Sequence, residues 1–343
     1  MTRKDIAGRL AEIIEERKPD KIFVITDSNV DVLTRGFLPD FSRIVIPAGE
    51  ENKNIITLSS VWEELTGRGA TRKSLVINLG GGLVTDLGGF AAATFKRGID
   101  YGNIPTTLLA AVDAAIGGKT GINFSGFKNE IGAFRMPLFT FPLVDSFTTL
   151  PKSELLSGYG EMLKTALLMD REAYNKITDE GFLNIENAAF RHYVLECGKF
   201  KEKIVEKDPT EKGLRKILNL GHTFGHAFES LLLNRERPVS HGIAVAHGLL
   251  ASLVLSRLVF DSEPALLYRF TAVLKAHFPT LPLRCDDIEQ LLQIMGHDKK
   301  NFVSGTPRFV LLPKIGEPVY DVEVKREDIV SAYEIYCDLS GVS

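Results

Sequence analysis

Over the first 150 positions, short runs of aliphatic and β-branched residues alternate with amphipathic stretches. Residues 21–26, 43–47 and 74–79 read as strands, and residues 55–67 between the second and third read as a helix. Continuous apolar strands separated by helices predict a parallel sheet covered on both faces. Residues 139–145 predict one further strand. Ahead of the first strand, Ile6, Leu10, Ile13 and Ile14 recur at helical spacing among charges. After Pro151 the period becomes helical, over residues 157–169, 188–206, 213–233, 242–260, 265–275 and 288–295. Two strand-like runs, 307–313 and 317–324, precede a final helix ending near Cys337. The change of period predicts an α/β domain over residues 1–150 and a mainly helical domain over residues 151–343. No repeat or Gly/Ser/Pro-rich linker marks the join.

Composition narrows the class. The 343 residues are 44% hydrophobic and 25% charged, the make-up of a folded globular chain rather than a disordered one. Forty-one Lys and Arg against 44 Asp and Glu leave a charge of -3, so nothing draws the chain generally to nucleic acid or anionic lipid. Cys197, Cys285 and Cys337 have no C-x-x-C spacing, which argues against a disulfide framework or a Cys-rich zinc site. His247, Ser252, Ser256 and Arg257 interrupt the most apolar stretch, so it predicts a buried helix and not a membrane span. With no signal-peptide pattern at the start, a cytoplasmic protein is expected.

Two clusters suggest chemistry. Gly80, Gly81 and Gly82 follow the third strand and open a helical pattern running through Phe95. Without β-carbons, their amides can approach a phosphate that also meets the positive end of the helix. The same glycines would serve a tight strand-to-helix turn, and Thr85 stands where a G-x-G-x-x-G fingerprint needs its third glycine. A second cluster, residues 116–121, lacks the first glycine of a phosphate loop because Asp113 sits there, which argues against ATP hydrolysis. Asp27 and Glu50 follow strands where ribose hydroxyls are often held, or are solvated loop acids.

The second cluster is histidine. His222 and His226 are four apart and share a helix face, and His241 opens the next helix. The order H-T-F-G-H lacks the glutamate of a metalloprotease motif. Glu161 lies on an otherwise apolar helix with Lys164 one turn on, so the two either pair with each other or serve a site. A nicotinamide beside a divalent metal suggests alcohol oxidation, because the metal removes the hydroxyl proton that would block hydride loss. Arg97, Lys119, Lys128 with Asn129, Lys164, Lys201, Arg215 with Asn219, and Lys299 with Lys300 would suit a substrate bearing phosphate and carboxylate if they line one cleft; otherwise they are solvated charges.

Taken in order, GGGLVTDLGGF, IPTTLLAAVDAAIGGKTGIN, GFKNEIGAF, SGYGEMLKTAL, GLRKILNLGHTFGHAFE, the HG at His241 and HDKKN resemble the motifs of the 3-dehydroquinate synthase family within the sugar phosphate cyclases, across residues 20–312. The resemblance implies an NAD-binding α/β domain, a helical metal- and substrate-binding domain and an active site in the cleft between them. It implies a phosphate-eliminating lyase of the shikimate pathway that converts 3-deoxy-D-arabino-heptulosonate 7-phosphate to 3-dehydroquinate. On this resemblance NAD is regenerated in each turnover, zinc or cobalt is the metal, and the enzyme is a homodimer.

By the same resemblance the metal ligands are Glu161, His222 and His241, and His226 faces the substrate phosphate. Asp113, Lys164 and Lys201 contact substrate hydroxyls, with Arg215 and Lys201 near the carboxylate. Lys119, Asn129, Asn219 and Lys299 complete the anion pocket, and Arg97 reaches the site from a second subunit. Gly81, Gly82, Asp86, Thr106 and Thr107 hold NAD, with Asp27, Glu50 and Lys53 around its adenosine half and Lys119 and Lys128 nearby. Three positions depart from the family pattern: Gly160 for alanine, Pro209 for an acid, and Ile243 for a glutamate that would stand behind His241. Rival readings are another sugar phosphate cyclase, which would change anion-pocket positions such as Lys201, Asn219 and Lys299 that are retained here; a polyol dehydrogenase, which would release NADH and not need Lys119, Lys128, Arg215 and Lys299 together; and a non-catalytic NAD-binding protein, which would need neither the metal ligands nor the basic pocket.

Overall fold

The computed structural model describes residues 1–125, 127–179, 182–296 and 307–342. The chain divides into two units, Met1–Pro151 and Lys152–Ser343. In the first, helix α1 (Arg3–Arg17) leads into strand β1 (Ile22–Asp27), helix α2 (Ser28–Leu33), strand β2 (Ser42–Ile46), helix α3 (Ile55–Gly67), strand β3 (Leu75–Gly80), helix α4 (Gly82–Thr94) and strand β4 (Asp100–Pro105). The sheet is parallel in the order β2-β1-β3-β4. One face packs Phe23, Ile25, Val76 and Tyr101 under α3 and α4, and the other packs Val24, Leu75, Ile77 and Ile104 with Ile6 and Leu10 of α1. Both faces are therefore covered, as near-continuous apolar strands require.

The strand expected over residues 139–145 forms only one bridge, Asn103 to Thr140. The segment runs along β4, but its amide donors to that strand are Leu138, Phe141 and Leu143, a spacing of three and then two, whereas a regular ladder takes every second residue. Pro142, with no N–H, lies within it, and a 3-10 turn (Val144–Thr149) follows. Two features were not expected. β4 itself carries Gly102 and Asn103, residues poor in strand propensity. An antiparallel hairpin of β5 (Lys119–Phe124) and β6 (Phe127–Phe134) packs β5 against α4, with Ile122 in the core under that helix.

The second unit contains α5 (Lys152–Met169), α6 (Arg171–Ile177), α7 (Ala188–Lys207), α8 (His222–Asn234), α9 (His241–Phe260), α10 (Pro264–His277), α11 (Ile288–Gly296), the hairpin β7 (Arg308–Lys314) and β8 (Glu317–Glu323), and α12 (Arg326–Ser340). α9 is long and apolar enough to cross a membrane, but it is the central helix of this unit, buried from Gly242 to Ser256 against α5, α8 and α12. The single helix expected over residues 213–233 is two elements. A 3-10 turn (Leu214–Asn219) ends before Gly221, whose φ of +80° stops the chain continuing as one helix, and α8 starts at His222.

Candidate active site

In the first unit, the carboxyl ends of β1, β3 and β4 lie side by side, which lines up Asp27, the Gly80 to Gly82 turn, and Thr106 with Thr107. Ligands of open α/β sheets bind at this edge. The Thr106 amide donates to the Gly80 carbonyl at 3.0 Å, and a β-carbon on Gly81 would come within 2.9 Å of Thr107 Cγ2. Gly82 opens α4, and no side chain caps that helix. Its first amides therefore point into the same turn. Thr106 Oγ1 is buried with no hydrogen-bond partner among the described residues. Glycine amides at a helix start with a spare hydroxyl beside them fit a dinucleotide pyrophosphate. Asp27 Oδ1 accepts from the amides of Asn29 and Val30 and so caps α2.

Asp113 lies on a π-helical turn (Ala110–Ala114) just beyond the two threonines. Such turns concentrate at functional sites. The buried Asn78 donates to Asn103 at 3.0 Å, and Asn103 donates to the Ala115 carbonyl at 3.0 Å, which anchors the end of the turn to the sheet. Beside it, the buried Lys53 donates to Asp86 at 2.5 Å and to Asn129 Oδ1 at 2.6 Å, with Glu50 at 3.9 Å. Burial alone would lower the Lys53 pKa, but Asp86 and Glu50 outweigh it and hold the ammonium above its ordinary range. These contacts tie the hairpin to α4. Lys119 and Lys128 are exposed on the hairpin. Arg97 is also exposed, past the far end of α4, beside Thr71, Arg72 and Lys96. At 1.5 Å per residue, α4 sets it about 20 Å from Gly82, so one chain does not bring these two together.

The second unit gathers the metal candidates. Glu161 on α5 is fully buried; its Oε2 accepts from Lys164 Nζ at 2.5 Å, and its Oε1 lies 3.5 Å from His222 Nε2 and 3.4 Å from His241 Nε2. Glu161 therefore both pairs with Lys164 and faces the imidazoles. The other ring nitrogens are committed: His222 Nδ1 is 3.2 Å from the Leu220 carbonyl, and His241 Nδ1 is 3.1 Å from Glu229 Oε2. Those oxygens only accept, so each Nδ1 carries a hydrogen, and each Nε2 is the ring atom that faces Glu161 and is left for a metal ion. Two imidazole Nε2 atoms and a carboxylate oxygen facing one another form a donor set for a divalent cation. Ligands about 2.0–2.1 Å from a tetrahedral zinc sit about 3.3–3.5 Å apart, the spacing found. This donor set fits zinc or cobalt.

His226 is the third imidazole of the cluster; ligand atoms of His222, His226 and His241 all lie within 4.8 Å of one another. Burial disfavours charge on His241, yet its hydrogen bonds to Glu161 and Glu229 raise its pKa to about 10. The buried Lys201 lies on α7, and the buried Arg215 donates to the Pro209 carbonyl at 2.7 Å. Asn219 donates to Glu211 Oε1 at 2.7 Å. Lys299 lies outside the described residues.

Two acids escaped the sequence reading. Glu229 supports His241 through the contact to its Nδ1; the spacing 222, 226, 229 on one helix face was the available signal. Glu211, in an irregular loop, left none. Of the departures from the family pattern, Ile243 is core and Pro209 supplies its carbonyl to Arg215.

The families described as 3-dehydroquinate synthase N-terminal and C-terminal match residues 43–157 and 158–301. A 3-dehydroquinate synthase of Parabacteroides distasonis is 41% identical, covering 99% of this chain and 98% of its own length. One of Thermococcus kodakarensis is 42% identical, covering 97% and 94%. Among solved structures, a 2-epi-5-epi-valiolone synthase of Streptomyces hygroscopicus subsp. jinggangensis, with NAD+ and Zn2+ bound, superposes with a TM-score of 0.83 at 26% identity, covering 94% of this chain and 92% of that one.

Proposed function

We propose, from the premise that this chain belongs to the 3-dehydroquinate synthase family, that it converts 3-deoxy-D-arabino-heptulosonate 7-phosphate to 3-dehydroquinate and inorganic phosphate. The observation that carries the reading is the meeting of Glu161 Oε1 with His222 Nε2 and His241 Nε2 at 3.5 and 3.4 Å. Glu161, His222 and His241 hold a divalent ion. Gly81, Gly82, Asp86, Thr106 and Thr107 hold NAD, with Asp27, Glu50, Lys53, Lys119 and Lys128 around it. When bound, NAD supplies a hydride acceptor that returns its hydride within the turnover, and the metal supplies the positive charge that acidifies a sugar hydroxyl.

The chain's own side chains orient the substrate. Asp113, Lys164 and Lys201 take its hydroxyls, Arg215 and Lys201 its carboxylate, and His226 its phosphate, with Lys119, Asn129, Asn219 and Lys299 completing the anion pocket. Arg97 serves the neighbouring subunit of a homodimer, a role its distance from its own glycine turn favours. The C6 proton passes to the substrate's own phosphate, which then leaves; ring opening and an intramolecular aldol step close the carbocycle while these cations hold the dianion in register.

The test is phosphate release by purified protein with zinc and substoichiometric NAD. Phosphate without net NADH is expected; steady NADH accumulation would establish a dehydrogenase instead. His222→Ala is expected to lose both turnover and bound zinc, measured by elemental analysis, and a variant keeping its zinc would remove His222 from the ligand set.

A further inference from the structure

Asn78 and Asn103 stand opposite each other across β3 and β4, and both carboxamides are buried among apolar strand residues. Burying such a group opposes folding unless its polar atoms are matched. Asn78 Oδ1 has no partner among the described residues; it faces Gly88 of α4, where a β-carbon would lie 2.1 Å from it. As a device for stability the pair is therefore poor. Its orientation is set from the other end. The Ala115 carbonyl only accepts, so Asn103 turns Nδ2 to it at 3.0 Å and leaves Oδ1 to accept from Asn78 Nδ2, also at 3.0 Å. Ala115 is where the π-helical turn closes: its amide donates to the Ala110 carbonyl at 3.1 Å, and the Ile116 amide donates to the Asp113 carbonyl at 3.0 Å. Thr140 Oγ1 reaches the Ala115 carbonyl at a longer 3.4 Å. Ala114, between Asp113 and that anchor, faces the glycine turn: its β-carbon would lie 3.6 Å from one on Gly82.

We propose that Asn103 is a positioning residue for Asp113, with Asn78 aiming its carboxamide. One bond from the middle of β4 holds the end of the π-helical turn, and so fixes the direction in which the half-buried Asp113 leaves it. The inference rests on the reading above that Asp113 takes substrate hydroxyls, and deepens it: a contact inside the sheet, remote from substrate, sets where that carboxylate stands. Without the Asn103 carboxamide the Ala115 carbonyl keeps only the longer Thr140 contact, and the turn is free to shift while Asp113 itself is intact.

The test follows phosphate release by the full-length protein with zinc and NAD, with NAD affinity measured separately by calorimetry. Asn103→Ala is expected to lower kcat/KM for the heptulosonate phosphate about 10- to 100-fold, the scale of a misplaced active-site group. NAD affinity is expected to hold, because Thr106 and Thr107 precede the turn; an equal loss of NAD affinity overturns the proposal. A double-mutant cycle with Asp113→Asn separates positioning from packing. If Asn103 acts through Asp113, Asn103→Ala has no further effect once Asp113→Asn is in place. The same fold loss in both backgrounds, the mark of a merely structural role, overturns the proposal, as does unchanged kcat/KM in a folded Asn103→Ala protein. If that variant does not fold, Asn78→Ala, which adds no atoms, takes its place: a several-fold loss confined to the background that retains Asp113 is expected, and full activity overturns the proposal. Wild-type turnover by Asp113→Asn would instead overturn the role of Asp113, and no phosphate release by the wild type would overturn the function, both distinct from equal losses in the two backgrounds.

Discussion

Each unit holds a buried lysine against a carboxylate at 2.5 Å, and the two pairs are put to different uses. In the first unit, Lys53 is the hub: it is 5% exposed, spans Asp86 and Asn129, and its partner Asp86 keeps 17% of its side chain in solvent. In the second, the carboxylate is the hub: Glu161 is fully buried, gives one oxygen to Lys164 and turns the other to two imidazoles. A lysine hub ties a hairpin to a helix. A carboxylate hub with a second acceptor oxygen collects cations. Identical pair geometry thus says little about role; what the remaining polar atoms of the pair face decides it.

The sharpest way to break this contrast is to neutralise each carboxylate in turn. Glu161→Gln leaves Lys164 buried without the carboxylate it faces and removes a metal ligand, so metal-free protein is expected to lose about 3–5 kcal/mol in urea unfolding, and zinc retention on dialysis is expected to fail. A loss no larger than that of Asp86→Asn would make the two pairs equivalent. Next in size is His247, which lies between Tyr336 and the Pro279 carbonyl with its pKa lowered by burial to about 4. Because the folded value lies below the unfolded one, its stabilisation is complete above pH 6.5 and is lost as pH falls from 6.5 through 4. The total is about 3 kcal/mol. His247→Gln is expected to flatten that acid limb, and an unchanged limb would assign it to other groups. Smallest is Asp86→Asn: Lys53 keeps Asn129 and Glu50, and solvent reaches the position, so about 1–2 kcal/mol is expected, with zinc affinity unaltered. A change in zinc affinity would show that the two hubs are coupled.

Much of this was legible because it is local. The strands β1, β2 and β3 follow from runs of branched residues, and the shared face of His222 and His226 follows from a spacing of four on a helix. The demand that Glu161 and Lys164 find partners follows from the cost of burying charge on an apolar helix. β4 was hidden because its Gly102 and Asn103 look like turn residues. A β-carbon on Gly102 would sit 2.3 Å from the Phe139 ring, and Asn103 is spent anchoring Ala115, so both identities answer to contacts far along the chain. The break at Gly221 was hidden for the same reason: its reason lies across the helix pair, where a β-carbon would come within 2.8 Å of Leu249.

By itself the sequence determined which residues share a turn or a strand face, and hence that an imidazole pair, a glycine turn and a buried acid exist. Backbone geometry fixes neighbours only within about one helical turn. Tertiary structure alone decided that the acid of α5 meets imidazoles from α8 and α9, that Glu229 stands behind one of them, and that the lysine beside Glu161 leaves one carboxylate oxygen facing them. Those meetings depend on where helices cross, and the crossing is set by the sizes of side chains distant in sequence.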